Sequence, residues 1–309
     1  MKKILITGSN GLLGQKLVKL FLIKNDYEIH AVSRGENRLI GSQGYTYYNM
    51  DITDKDKLEG LIHKKQPHYI IHTAAMTNVD ACELNRDKCD LINVDAVATL
   101  VEICQKNDIH LIHLSTDFIF DGEKGDYYKE EDKPNPVNYY GLSKLRSEEI
   151  ILKADIKYTI LRTILVYGLV DRNDRSNIML WVKNSIEDKK QINVVTDQFR
   201  MPTLADDLAE ACWLAIEIDA TGIYNVSSKE LLSIYDIAIE VASAFDLDKK
   251  YITPVETSRL NLPAKRPPST GFDLSKSITQ LKLPSYSFSE RLQVFKNQLS
   301  SYEESHLKK

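Results

Sequence analysis

Residues 2–20 read KKILITGSNGLLGQKLVKL. Ile4, Leu5 and Ile6 form a short β-branched-rich apolar run, Gly8, Gly11 and Gly14 recur every third residue, and Leu13, Leu17, Leu20 and Phe21 then keep helical spacing. The pattern predicts a strand, a glycine turn and a helix. Residues without a Cβ allow such a turn to take positive φ and let a pyrophosphate approach the backbone of Gly8, Asn10, Gly11, Leu12, Leu13 and Gly14. The next helix presents unpaired N–H groups and its positive dipole end to the same phosphates. The spacing is Gly-xx-Gly-xx-Gly, not the Gly-x-Gly-xx-Gly of most dinucleotide dehydrogenases. Three glycines also suit an ordinary packed βα turn, so the assignment depends on residues further along the chain.

A chain of 309 residues can bury a large core, and its length suits one large domain or two unequal ones. A hydrophobic fraction of 43% is ordinary for a globular protein. The net charge of −4 and pI near 6.0 supply no electrostatic footprint for nucleic acid or an anionic membrane. Cys82, Cys89, Cys104 and Cys212 have neither zinc-ligand spacing nor the density of a disulfide framework. A reducing, cytoplasmic setting and no metal site are therefore expected. The apolar run after Lys2 and Lys3 is too short for a signal peptide, and none approaches the ~20 residues that span a bilayer.

Further strands are predicted at 27–32 (YEIHAV), 45–50, 68–75 (HYIIHTAA) and 109–114, separated by helical patterns. That alternation predicts an α/β fold, a Rossmann-like doubly wound parallel sheet covered on both faces. Ligands of such sheets bind outside the carboxyl ends of the strands, where Gly8, Ser33, Asp51, Ala74 and Thr116 all fall. Where many dinucleotide-binding folds carry a carboxylate for the adenosine ribose, this chain has Ser33 and Arg34. A hydroxyl and a guanidinium suit a 2′-phosphate, so NADP(H) is favoured and NAD(H) stays open. Arg34 could also be a solvated loop residue. Asp51 could accept from the adenine amino group with Ile52 against the ring; equally, Asp51 or Thr53 could cap the next helix. His72, with no partner at ligand spacing, reads as a packed histidine.

After a charged, proline-bearing loop at 122–137, residues 138–144 (NYYGLSK) open a helix. Tyr140 and Lys144, four apart, share a helical face; Tyr139 leaves in another direction. An ammonium about 4 Å from a phenol favours the phenolate, by roughly three pK units as an upper illustration. Tyr140 is thereby a candidate general acid, Lys144 a candidate ligand of the nicotinamide ribose, and Thr116 a hydrogen-bonding partner for a substrate carbonyl.

With these residues in place the sequence resembles the extended short-chain dehydrogenase/reductases, and within them the dTDP-4-dehydrorhamnose reductase group. The matching segments are ITGSNGLLG (6–14), AAMTNVDACE (74–83), NVDA (93–96), LSTDFIFDG (114–122), YYGLSK (139–144), LRTILVYG (161–168), DQFRMPT (197–203) and RPPST (266–270). The resemblance implies reduction of a 4-keto group on a nucleotide-linked deoxysugar, with the proton coming from Tyr140. It implies cofactor contacts at Thr73, Ala74, Ala75 and Thr77, and substrate contacts at Val79, Asp117, Phe118 and Leu165. At Phe118 and Leu165 the family usually carries Tyr and Trp facing the sugar, so the substrate of this chain is expected to differ from dehydrorhamnose.

Arg200, Lys265 and Arg266 are candidate partners for a nucleotide diphosphate, or else surface residues. The expected division is a dinucleotide-binding domain at 1–166 and a smaller, mixed C-terminal substrate domain at 167–309, parts of about 204–245 returning to the first. Helices are expected at 204–218, 231–245 and 287–299, a polar loop at 171–176, and fraying at 300–309. A homodimer is compatible with the sequence. Two other functions share the same residues. One is a nucleotide-sugar epimerase or dehydratase; the other is a non-catalytic NADP-binding regulatory subunit, since the methionine adenosyltransferase regulatory subunit resembles this same group.

Overall fold

The computed structural model describes residues 1–171 and 177–307. Strand β1 (Lys2–Thr7) is central because Ile4, Leu5 and Ile6 are fully buried, so apolar side chains are covered on both of its faces. The chain continues through α1 (Leu12–Lys24), β2 (Tyr27–Ser33), β3 (Thr46–Asn49), α2 (Lys55–Lys65) and β4 (Tyr69–His72). Short helices α3 (Val79–Leu84) and α4 (Arg86–Asp90), a π-helical turn at Leu91–Asp95 and α5 (Ala96–Asn107) lead to β5 (His110–Thr116). Next come α6 (Tyr139–Lys153), β6 (Tyr158–Thr163), β7 (Val166–Tyr167), α7 (Ile178–Glu187), β8 (Ile192–Val195), β9 (Phe199–Arg200) and β10 (Thr203–Leu204). The described chain ends with α8 (Ala205–Glu217), β11 (Gly222–Val226), β12 (Leu232–Ser233), α9 (Ile234–Ala244), β13 (Ile252–Val255), α10 (Ser275–Thr279) and α11 (Phe288–Leu307).

Among the described residues the main sheet has seven parallel strands in the order β11-β6-β5-β4-β1-β2-β3, a Rossmann-like doubly wound arrangement. The order reverses at β1, whose neighbours are β2 and β4, and this switch point is where such sheets bind ligands. The register sets Thr7 opposite both Val32 and His72, and Thr116 opposite Thr163, so the strand ends open together. Helices α1 and α8 cover one face through Leu17, Phe21, Leu208 and Cys212; α2 and α5 cover the other through Leu58, Ile62, Leu100 and Ile103. Each such fully buried aliphatic side chain contributes roughly 1.5–3 kcal/mol.

A second apolar cluster joins α7, α9 and α11 through Val182, Ile237, Val241, Phe288 and Phe295, beside the β8–β13 pair. Helix α8 links the two cores. Lys16 of α1 lies 3.0 Å from Asp206, and Arg291 of α11 donates to Asp207 at 2.9 Å.

Three local expectations are corrected. Helix α11 runs on to Leu307 instead of fraying from 300, because Leu299 and Tyr302 still pack on the second core. The helix expected at 231–245 begins only at Ile234: Leu232 and Ser233 pair antiparallel with β9, and the Ser233 hydroxyl accepts from the Asp236 amide at 2.9 Å. Asp54 caps α2 by accepting from the Lys57 amide, whereas Asp51 is occupied by the amide and hydroxyl of Thr53. Apart from Asp171, the polar loop at 171–176 lies outside the described residues.

Candidate active site

Gly8 takes a φ of +71°, and a Cβ there would stand 2.7 Å from the Ala74 amide nitrogen, so only glycine lets the turn rest against the end of β4. No side chain caps α1, whose N-cap residue is Gly11. Its first-turn amides are thus left for an anion. Asn10 braces the turn from its side: Nδ2 donates to the carbonyls of Arg34 (3.1 Å) and Glu36 (2.8 Å), and Oδ1 accepts from the Arg38 amide (2.9 Å).

From this turn a cavity of about 590 Å³ runs along the strand ends, a volume within the range of small-molecule sites. Asn10, Gly11, Leu12 and Leu13 line its first part, and Thr73, Ala74, Ala75 and Thr77 the stretch after β4. Thr116, Tyr140 and Lys144 line the same cavity, as do Val79, Asp117, Phe118, Leu165 and Arg200. Gly8 and Gly14 shape the turn without lining the cavity.

Ser33, Arg34, Asp51 and Ile52 do not line it either. Ile52 is buried in the core beside Leu58, Asp51 is turned to Thr53, and the Arg34 guanidinium, its side chain 65% exposed, lies 3.6 Å from Asp51. The arginine of this loop that reaches the cavity is Arg38. Tertiary proximity alone reveals it, since four residues separate it from the position where a ribose-binding group is sought.

Gly141 brings the chemistry together. A Cβ at this position would run into the Phe118 carbonyl, so its absence lets α6 press against the end of β5. Tyr140 therefore faces Thr116, and its ring meets that of Phe118 edge-on at 6.1 Å. Tyr139 turns away and donates to Asp90 at 2.7 Å. The Thr116 hydroxyl donates to Asp117 Oδ1 at 3.0 Å and accepts from the Phe118 amide at 3.2 Å. Asp117 is buried, accepts from Thr270 at 2.5 Å, and has Arg200 Nε 3.7 Å away.

Burial raises the Tyr140 pKa above the usual phenol value, partly offset by the bond to Thr116. Burial also raises Asp117, against the pull of Arg200, and lowers Lys144 to about 8, opposed by Glu148. Lys144 Nζ lies 3.0 Å from His113 Nε2, a buried residue of β5 that nothing local in the sequence marks.

Arg200 Nη1 and Nη2 donate to the carbonyls of Phe199 and Pro267, both at 2.7 Å, tying β9 to the 266–270 segment while the residue lines the cavity. Arg266 pairs with Asp80 at 2.7 and 2.8 Å at the start of α3 and still lines the cavity. Leu165 holds a φ of +41°, a conformation costly for a branched side chain. No group of three or more His, Cys, Asp or Glu suited to a metal occurs among the described residues. Nor is any described helix long and apolar enough to cross a membrane.

A glycine turn at the switch point and a Tyr-xxx-Lys helix sharing one cavity with a strand-end threonine define the extended short-chain dehydrogenase/reductases, NAD(P)-dependent oxidoreductases. The chain is 32% identical over 287 residues to a dTDP-4-dehydrorhamnose reductase of Aggregatibacter actinomycetemcomitans, covering 89% of this chain and 92% of that one. It is 31% identical over 283 residues to methionine adenosyltransferase 2 subunit beta of Bos taurus, covering 90% and 82%. A dTDP-4-dehydrorhamnose reductase from Bacillus anthracis, solved in complex with NADP, superposes with a TM-score of 0.85 at 28% identity, covering 96% of this chain and 100% of that one. The chain belongs to the RmlD substrate binding domain family, which it matches over residues 1–301.

Proposed function

We propose that this protein uses NADPH to reduce the 4-keto group of a nucleotide-linked deoxysugar. One observation carries the reading: Thr116, Tyr140 and Lys144 converge on the cavity into which the glycine turn opens. The uncapped α1 N-terminus and the Gly8 turn fit a pyrophosphate, Arg38 stands where it could meet a 2′-phosphate, and the B. anthracis relative is complexed with NADP. NADPH, when bound, supplies the hydride.

The chain supplies the rest. Burial keeps the Tyr140 phenol protonated at neutral pH, as a proton donor to a carbonyl oxygen must be. Thr116 can turn its hydroxyl from Asp117 to that oxygen and so orient the ketone. Lys144 keeps donors for ribose hydroxyls beyond the one directed at His113. Phe118 offers no hydroxyl and Leu165 no flat ring to the sugar, so a less hydroxylated or differently shaped hexose than dehydrorhamnose is the fitting substrate.

Screening 4-ketosugar nucleotides for loss of NADPH absorbance tests the proposal. Tyr140→Phe should lower kcat by roughly 10² or more with NADPH affinity kept; an undiminished rate would remove Tyr140 from the chemistry. A cofactor that stays tightly bound with no net NADPH consumption would favour an epimerase or dehydratase instead.

The similarity to methionine adenosyltransferase 2 subunit beta, together with Phe118 and Leu165 at the sugar end, supports a second reading as a non-catalytic NADP-binding subunit. Turnover of any ketosugar nucleotide at an ordinary kcat excludes it.

A further inference from the structure

We propose that His113 is a positioning residue that holds the Lys144 ammonium through Nε2 and so sets the pH range over which Lys144 stays charged. The inference rests on the reading of Lys144 as the cofactor-gripping partner of Tyr140.

Hydrogen-bond bookkeeping around the ring supports it. Lys144 and His113 are both buried, with Nζ 3.0 Å from Nε2. Nε2 is also 3.1 Å from the Ser147 hydroxyl, which lies 2.7 Å from the Lys144 carbonyl and can send its one proton to either acceptor, so Ser147 fits both tautomers of the ring. An ammonium has donors and no acceptor, so opposite charged Lys144 the Nε2 atom must be a bare lone pair, and the ring proton sits on Nδ1. When Lys144 is a neutral amine, the other tautomer fits: Nε2–H donates to the amine or to Ser147. The charge of Lys144 and the tautomer of His113 are thereby linked. Among the described residues Nδ1 has no hydrogen-bond partner.

The surroundings leave this role to His113. From β4, His72 stacks on the ring with centroids 5.5 Å apart, its own Nδ1 engaged 2.8 Å from the Thr7 hydroxyl. Burial and the Lys144 charge keep both imidazoles neutral, His72 being lowered to about 3 and His113 well below its ordinary value. From α4, Cys89 lies near the ammonium. On α6 itself Glu148 favours the charge, but its carboxylate is already forked to Arg162 at 3.1 and 2.8 Å. A neutral acceptor bonded to the charged form favours that form. Removing it must lower the proton affinity of Lys144 further below its present value.

The test measures NADPH affinity against pH by fluorescence in wild type, His113→Leu and His113→Gln. Wild-type affinity should decline above about pH 8. In His113→Leu the decline should move down by about one pH unit, tenfold in proton affinity, and His113→Gln, whose amide oxygen can accept, should move it back. An unmoved decline in His113→Leu overturns the proposal, because a packing role alone would lower stability without shifting a titration. A second measurement needs neither variant nor cofactor: ¹⁵N spectra of the ligand-free protein at pH 7 should show the Nδ1-protonated tautomer of His113, and the Nε2-protonated tautomer overturns the proposal. Failure of wild type to bind NADPH at any pH would sink the oxidoreductase reading, while the spectra would still decide the role of His113.

Discussion

Arg34 and Arg38 stand in one loop and meet different surroundings. The first lies against Asp51 at 3.6 Å, its side chain mostly in water; the second is led to the cavity by the bond from its amide to Asn10. A charge-assisted hydrogen bond lost from a binding site costs about tenfold or more in affinity. Arg38→Ala should therefore weaken NADPH by about that factor and leave NADH nearly unchanged, whereas Arg34→Ala should alter both by less than about twofold. Titrations of the two cofactors against the two variants check this. A strong selective effect at Arg34 would return the 2′-phosphate to the position that sequence spacing suggests. The residue type was legible in the sequence and its partner was not, because a four-residue offset in a loop is settled by the Asn10 hydrogen bonds.

At the scale of elements, the active geometry depends on how closely α6 approaches the end of β5. Gly141 makes the approach, and the Arg162–Glu148 pair, almost fully buried, locks α6 to β6 further along. Gly141→Ala must push the helix from the Phe118 carbonyl or distort the turn behind Thr116. Overpacking of this kind costs about 1–3 kcal/mol, and here the displaced element carries Tyr140. The expected result is a lower urea midpoint together with a loss of turnover larger than the loss of NADPH affinity, read by denaturation and steady-state kinetics. Full activity with lowered stability would show that the helix can shift without moving the phenol. The Tyr-xxx-Lys spacing announces a shared helical face. That Lys144 meets His113 there depends on a strand 31 residues earlier in the chain.

Over the whole molecule, the two cores are joined through α8, and the joint is electrostatic as well as apolar. Burial raises the Asp207 carboxyl to about 6, against the opposing pull of Arg291. With a folded value above the unfolded one of ~3.9, the folded state binds more protons between these values, and stability falls as pH rises through that window. Arg291→Met removes the opposing cation, raises Asp207 further and leaves a buried charge uncompensated at higher pH. Its melting temperature should drop below wild type by on the order of 5–10 °C at pH 8 and by much less at pH 5, where the carboxyl is protonated. Thermal unfolding at the two pH values measures the difference. An equal deficit at both would mean that Arg291 acts through packing alone.

The sequence by itself determined the parallel sheet, the glycine turn at its centre and the residue types available for hydride-linked proton transfer, because periodicity, glycine spacing and helical facing are local properties. Thr116, Tyr140 and Lys144 could be gathered into one site on that basis. Only the tertiary structure decided which charges are already satisfied. Arg200 donates to backbone carbonyls, Asp51 Oδ1 accepts from Thr53, and Lys144 faces a buried imidazole. Hydrogen-bond partners are chosen by distances of a few ångströms between segments far apart in the chain, and no local pattern encodes them.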